Sequence, residues 1–339
     1  MDLIKSDISR ILSAVNIDFF NNKRIFITGA SGLLGGYFAQ TLQQGLDLGS
    51  QRTRLFLSSK SGAFQFDTAP QVEIITGDLS DYNILDKLPM FDLIIHAAGY
   101  SAPGNFLNDP LLTIKINTAT TSKLVEKLNK NGKFLFVSSS EVYSGLELPP
   151  FIESQIGLTN TDHIRSSYIE GKRSGEAIMA AINGKNGINA KSVRLSLVYG
   201  PGTKKGDKRV LNSFIEQAIC SSRIDLKDSG SVLRTYCYVV DAVEMCFLAT
   251  IHGKELIYNV GGISKISIID LAKLIAKITD SDLSIPNMRS SYLSGAPVDV
   301  SLDLSKILTL KNNSNFIGLD EGLKRTIDWQ KEVLFNSIH

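Results

Sequence analysis

No stretch of the 339-residue sequence is long and apolar enough to cross a membrane: runs such as MCFLATI fall far short of the roughly 18 residues required. Asp2, Lys5, Asp7 and Arg10 break the N-terminus where a secretory signal needs its apolar segment. These two absences predict no membrane partner and make the cytoplasm the default location. Charge of one sign is also lacking. Lys and Arg number 36 against 34 Asp and Glu, and a net charge of +2 supplies no basic field for nucleic acid. Cysteine is scarce as well. Cys220, Cys237 and Cys246 form an odd set without metal-ligand spacing, so buried reduced thiols are expected, with no disulfide framework and no metal site. Internal repeats and low-complexity linkers are not found.

What the chain does contain is the composition of a globular enzyme, 43% hydrophobic and 21% charged. Its length exceeds the roughly 250 to 300 residues at which single cores stop growing, which predicts two lobes. Short apolar runs at 24–28, 54–58, 72–76, 92–97, 133–138 and 190–195 alternate with helix-like stretches. That alternation is the pattern of an α/β domain with a doubly wound parallel sheet of Rossmann type, assigned to residues 21–195. Ahead of it, Ile4, Ile8, Ile11 and Val15 make one apolar stripe. The extension over 1–20 is therefore expected to hold an amphipathic helix, residues 3–16, packed on the body or on a partner subunit. From 196 to 339 the pattern changes to the loop YGPGTKKGDKR and helices near 210–221, 240–252 and 267–279, a smaller C-terminal lobe. Within it, LIYNVGG, about residues 256–262, reads as a strand returning to the edge of the first domain.

The stretch FITGASGLLGG, residues 26–36, follows the first strand directly and packs four glycines into eight positions. A tight turn built on Gly29, Gly32 and Gly35 lets main-chain N–H groups approach a pyrophosphate, and a helix over 33–42 aims its positive dipole at the same point. The strand, turn and helix context is what a dinucleotide site requires of such a motif. Further along, Tyr168 and Lys172 stand one helical turn apart and share a face. The lysine charge is expected to lower the phenol pKa, so that the phenolate takes a hydroxyl proton while hydride leaves for a nicotinamide.

Five more segments follow in order: GDLSD with Asp78 and Leu79, HAAG at 96–99, VSSSEVY at 137–143, YIEGK with Tyr168 and Lys172, and LRTYCYVVD at 233–241. With the glycine turn, this ordered set resembles the extended short-chain dehydrogenase/reductases, the NAD-dependent epimerase/dehydratase family. Within that superfamily HAAGYSAPGNFLNDPLLTIKINT, SSSEVY, SYIEGKRSGE, KRVLNSFIEQAI and GSVLRTYCYVVD are most similar to UDP-glucuronate decarboxylases, over about Lys23 to Trp329.

The resemblance implies a cofactor site made from Gly29, Ser31, Gly32, Leu33, Leu34, Gly35, Asp78, Leu79, Ala97, Ala98, Gly99, Asn117, Tyr168, Lys172 and Val198. It implies catalysis by Ser139, which relays or shares the Tyr168 proton, and by Glu141, with Ser140 beside it. It also implies a nucleotide-sugar site that includes Ser101, Arg209, Asn212 and Arg234, the arginines acting as planar bidentate donors to a diphosphate. Arg234 is further expected to help hold a sugar carboxylate. Glu141 bears on the reaction type, because a 4-keto sugar has an acidified C5 where a carboxylate can move a proton. Ser140 stands where dTDP-glucose-type 4,6-dehydratases carry an acid; decarboxylases and GDP-mannose-type dehydratases share the serine.

Two departures qualify the match. Where the family carries an acidic residue for the adenosine ribose, this chain has Ser58, Ser59 and Lys60, a set expected to accept the 2′-phosphate of NADP as well as to allow NAD. Ser196 and Leu197 replace a phenylalanine-asparagine pair, which removes a diphosphate donor. The expected activity is oxidation of a nucleotide-linked hexose at C4 with NAD or NADP, followed by decarboxylation of a glucuronate. The alternatives are a 4,6-dehydratase, a C4 epimerase or reductase, and a nucleotide-binding regulatory protein without catalysis. Helices near 111–130 and 164–183, with Leu112, Ile116, Ile178 and Ile182 on their apolar faces, are expected to pair in a homodimer.

Overall fold

The computed structural model describes residues 2–49, 52–100, 103–286, 299–311 and 315–335. Its strands are β1 (Arg24–Thr28), β2 (Arg54–Ser59), β3 (Glu73–Thr76), β4 (Phe91–His96), β5 (Leu128–Ser139), β6 (Asn189–Leu195), β7 (Leu197–Tyr199), β8 (Arg223–Asp225), β9 (Leu233–Tyr238), β10 (Ile257–Val260), β11 (Ser264–Ser267) and β12 (Asp282–Ser284). Its helices are α1 (Asp2–Ala14), α2 (Leu33–Gly45), α3 (Tyr82–Asp86), α4 (Pro103–Asn108), α5 (Pro110–Asn117), α6 (Ala119–Val125), α7 (Ser166–Ile182), α8 (Val210–Ser221), α9 (Val239–His252), α10 (Ile268–Thr279), α11 (Ser305–Leu308) and α12 (Leu319–Phe335).

Seven strands form one parallel sheet in the order β3-β2-β1-β4-β5-β6-β10. The central strands read as near-continuous apolar runs because both faces are covered by helices, and β1 is buried at every residue after Arg24. The edge strand β3 alternates half-buried and exposed residues instead, the signature of a strand with only one covered face. Strand β10 is the returning LIYNVGG segment, registered against β6 with Ile257 opposite Ser192. Sheet order reverses between β1 and β4, so the carboxyl ends of these strands open a crevice there.

The stretch expected as one helix over 111–130 is two helices and the start of a strand. Thr118 breaks it with φ −114° and ψ −81°. The local cause is a cluster of side chains that bond back to carbonyls, Thr113 to Asp109, Asn117 to Thr113, Thr118 to Ile114 and Thr121 to Asn117. Leu112, Ile178 and Ile182 pack with buried Ile116 on the second apolar cluster of their own chain. The outward apolar positions of this region are Leu107, Leu111 and Ile114, with Leu111 79% exposed.

Helix α1 buries Ile4, Ile8 and Ile11 against the body, next to α2 and α9, and Val15 just after it is buried as well. One contiguous apolar cluster runs from this helix through β1 and β6 to Phe247, Ile275 and Trp329, so both halves of the chain share a core. Cys237 and Cys246 are buried free thiols, whereas Cys220 on the outer side of α8 is exposed, contrary to expectation. Among the described residues no helix is long and apolar enough to cross a membrane.

Candidate active site

The glycine turn has the backbone that its sequence demands. Gly29 lies at φ +67°, and a Cβ there would stand 2.7–2.8 Å from the backbone of Ala97 and Ala98, so no other residue fits. Gly35 is equally constrained, since a Cβ would meet the Gly29 carbonyl at 2.2 Å. Gly32 caps α2 without a side-chain hydrogen bond, which leaves the first-turn N–H groups of Leu33, Leu34 and Gly35 aimed outward. Ser31 and Gly32 line a depression of about 280 Å³ with Ala30, Phe66 and Gly202. Lys204 reaches back to the Ser31 hydroxyl at 3.5 Å.

Across the crevice, a hydrogen-bond chain ties β1 to the loop after β4. The Ala98 N–H donates to Thr28 Oγ1 at 3.0 Å, and Thr28 Oγ1 lies 2.7 Å from His96 Nδ1. His96 Nε2 is 3.2 Å from the Ile116 carbonyl. Burial drives the His96 pKa down to about 3, so the ring is neutral, with Nε2 donating and Nδ1 accepting. Gly99, at φ +148°, faces Lys172 Nζ and Asn117 Oδ1, and that Oδ1 is buried with no partner among the described residues. A bare turn, an uncapped helix start and an orphaned amide oxygen fit a dinucleotide.

At the end of β2, Ser58, Ser59 and Lys60 each have a partner within the chain. Buried Ser58 accepts from the Gly29 N–H at 3.3 Å, and buried Ser59 donates to the Ala63 carbonyl at 3.1 Å. Lys60 is paired with Asp78 at 2.8 Å. Burial acts to raise the Asp78 pKa, but Lys60 and the Ser80 N–H outweigh it and hold the carboxyl below its ordinary value. Leu79 is buried in the second apolar cluster, and Val198 is buried on β7.

Tyr168 and Lys172 are both buried on α7, with Lys172 Nζ 5.8 Å from the tyrosine ring centroid and donating to the Val137 carbonyl at 2.8 Å. Burial pushes the Lys172 pKa down to about 7, opposed by Glu176. The expected lowering of the phenol by this lysine is not the dominant effect. Burial pushes Tyr168 up to about 12, while the Ser139 hydrogen bond and the Arg165 and Arg209 charges pull the other way. Ser139 ends β5 and accepts from the Glu141 N–H at 3.2 Å, which sets up the single helical turn carrying Ser140 and Glu141. Glu141 is not a solvated strand end. Arg165 holds it with both Nε, at 3.1 Å, and Nη2, at 2.5 Å.

Of the substrate candidates, Ser101 lies outside the described residues. Arg209 grips Asp207 bidentately, Nε at 3.0 Å and Nη2 at 2.6 Å, close enough to Tyr168 for its charge to act there. Arg234 on β9 is half-buried, within electrostatic reach of Glu141 and Arg165, and donates through Nη1 to the Leu233 carbonyl at 2.7 Å. Asn212 lines a different depression of about 360 Å³ with Lys204, Asp207 and Trp329, and its Oδ1 has no partner among the described residues. Ser196, one of the two departures, is buried with its hydroxyl likewise unpartnered among them. Sequence reasoning missed Arg165, Phe106, Thr28, His96 and Glu176. Thr28, His96, Phe106 and Glu176 lie inside the quoted motifs without having been given a role, and Arg165 lies outside them, three residues ahead of Tyr168.

Comparison with known proteins finds related sequences and structures of the same fold. UDP-glucuronic acid decarboxylase 6 of Arabidopsis thaliana is 28% identical over 319 residues, covering 91% of this chain and 89% of the relative. An epimerase structure from Methanothermobacter thermautotrophicus superposes with a TM-score of 0.81 at 19% identity over 97% of both chains. The dTDP-glucose 4,6-dehydratase DesIV of Streptomyces venezuelae, a double mutant with NAD bound, gives 0.77 at 20% identity, covering 91% of this chain and 97% of its own. At these identities the solved structures establish the fold. The family model of NAD dependent epimerases/dehydratases matches residues 25–261, a span that carries both the glycine turn and the Tyr168–Lys172 helix, and the chain belongs to that family of enzymes.

Proposed function

We propose that this chain is an NAD-dependent decarboxylase of a nucleotide-linked glucuronate. The observation that carries the reading is Glu141, a carboxylate beside the Tyr168–Ser139 pair whose neighbour is Ser140 rather than an acid. Tyr168, as its phenolate, accepts the C4 hydroxyl proton with Ser139 bonded to it, and the charge of Lys172 favours that phenolate. Bound NAD supplies the hydride acceptor. The resulting 4-keto sugar is a β-keto acid: the C5–C6 bond pair moves into a C4–C5 enolate as CO2 leaves, C5 takes a proton, and return of the hydride at C4 completes a redox-neutral cycle. Glu141 serves the proton transfer at C5. No acid is needed for a leaving hydroxyl, which a 4,6-dehydratase requires and serine, with its high pKa, supplies poorly. The similarity to UDP-glucuronic acid decarboxylases supports the same reading.

NAD rather than NADP is supported by the Lys60–Asp78 pair. A homodimer through α5 and α7 belongs to the same proposal, with light scattering at micromolar concentration as its test.

The experiment is incubation of the NAD-loaded protein with UDP-glucuronate and, separately, with UDP-, dTDP- and GDP-hexoses. CO2 and a UDP-pentose are expected from the first, and Glu141→Gln should lower kcat by about a hundredfold or more. A 4-keto-6-deoxy sugar from a hexose, with no CO2 from glucuronate, overturns the proposal.

A further inference from the structure

Arg165 sits at the N-terminal edge of α7, one turn ahead of Tyr168, and its side chain is only 11% exposed. Two of its nitrogens hold the two oxygens of Glu141. Its guanidinium carbon lies 5.0 Å from the centroid of the Phe106 ring, and Phe106 in turn stacks on Tyr168 at 4.6 Å with an interplanar angle of 11°. The position of the guanidinium is therefore tied both to Glu141 and, through Phe106, to the phenol ring. Nη1, the remaining donor nitrogen, has no partner among the described residues.

A hexose whose C4 hydroxyl meets Tyr168 has its C6 only two bonds from C4. If C6 is a carboxylate, it enters a partly desolvated pocket and needs a cation there. Three guanidiniums surround the site. Arg209 is already matched to Asp207, and Arg234 directs Nη1 to a backbone carbonyl of its own strand. Arg165 is held nearest in the chain to the phenol and keeps one donor nitrogen open.

We propose that Arg165 selects a hexuronate over a neutral hexose, sharing its guanidinium between Glu141 and the C6 carboxylate of the bound sugar. This rests on the decarboxylase reading above. Sharing also has a chemical consequence: Glu141 competes for the same cation, so the substrate carboxylate is bound without being stabilised as fully as by a lone arginine. When the C5–C6 pair moves into the enolate, negative charge leaves C6 for the C4 oxygen, and Arg165 returns to both oxygens of Glu141.

The test is equilibrium binding of UDP-glucuronate and of UDP-glucose to the NAD-loaded protein in a Tyr168→Phe background, which keeps the stacked ring and stops turnover. Adding Arg165→Met should weaken UDP-glucuronate by about ten- to a hundredfold and UDP-glucose by less than about threefold, the range of a lost charge-assisted contact. Arg165→Lys, which keeps the charge but not the planar fork, should lose part of that selectivity. Because both ligands are measured on one sample, a general loss of folding cannot imitate a changed ratio. Equal weakening of both ligands, or an unchanged ratio in both variants, overturns the role. Absence of CO2 release by the wild-type enzyme overturns the decarboxylase reading itself, whereas CO2 release with an unchanged ratio overturns only the assignment of Arg165.

Discussion

Burial of Lys172 has opposite consequences for stability and for chemistry. The folded lysine titrates at about 7, while an unfolded lysine titrates near 10.4. Between these values the unfolded chain binds a proton that the folded chain does not, so stability rises with pH across that window and is lowest below it. Lys172→Met should therefore raise stability at pH 6 by an amount on the order of a few kcal/mol, with the advantage shrinking toward pH 10, and should abolish turnover. Urea unfolding of both proteins at pH 6 and pH 9.5 checks this; a variant less stable than wild type at pH 6 contradicts it. The Tyr168–Lys172 spacing was legible in the sequence because helical periodicity places i and i+4 on one face. The direction of the phenol pKa was not, because it depends on how deeply the pair is buried and on Arg165 and Arg209, which lie outside that motif.

The turn between β1 and α2 separates two roles that the three glycines share in the sequence. A Cβ on Gly35 collides with the Gly29 carbonyl, and Gly35→Ala should cost about 1–3 kcal/mol by forcing α2 from the turn. A Cβ on Gly32 meets only that same carbonyl, at 3.3 Å, and the residue has an ordinary φ of −88°. Gly32→Val should therefore fold and lose NAD binding, since the side chain fills the approach to the uncapped N–H groups. Thermal unfolding and NAD titration separate the two variants, and full NAD occupancy in Gly32→Val would contradict the cradle. Element identity was readable along most of the chain, and β1, α8 and α10 lie within a residue of expectation. The break at Thr118 was not, because each back-bonding hydroxyl is compatible with a continuous helix until several act together.

At the scale of the whole molecule, buried Asp7 joins parts far apart in the chain. It accepts from the Tyr37 hydroxyl on α2 and the Tyr238 hydroxyl at the end of β9, both at 2.8 Å, and from Arg325 on α12 at 2.6 Å. Burial raises its pKa against the pull of these partners. Asp7→Ala removes the counter-charge of Arg325 and the acceptor of the buried Tyr37 and Tyr238 hydroxyls, and should cost about 2–3 kcal/mol in urea denaturation. Asp7→Asn, which keeps a hydrogen-bonding group of the same shape, should lose less. A loss below about 0.5 kcal/mol for the alanine variant would mean that α1 is held by its apolar face alone.

The sequence by itself determined the parallel α/β architecture, the glycine turn, the Tyr168–Lys172 helix and the apolar face of α1. Each is written in local periodicity or in a residue type that only one backbone geometry accepts. Tertiary structure decided which charges meet. Glu141 found Arg165, Lys60 found Asp78, Arg209 found Asp207 and Asp7 found Arg325, and these pairs set the electrostatics of the site and the cohesion of the chain. Three of the four join different elements or loops, and the Asp7–Arg325 pair spans 318 positions. Hydrophobic period predicts which face is buried, but a charged residue carries no period that names its partner, so pairing is decided only when the core has closed.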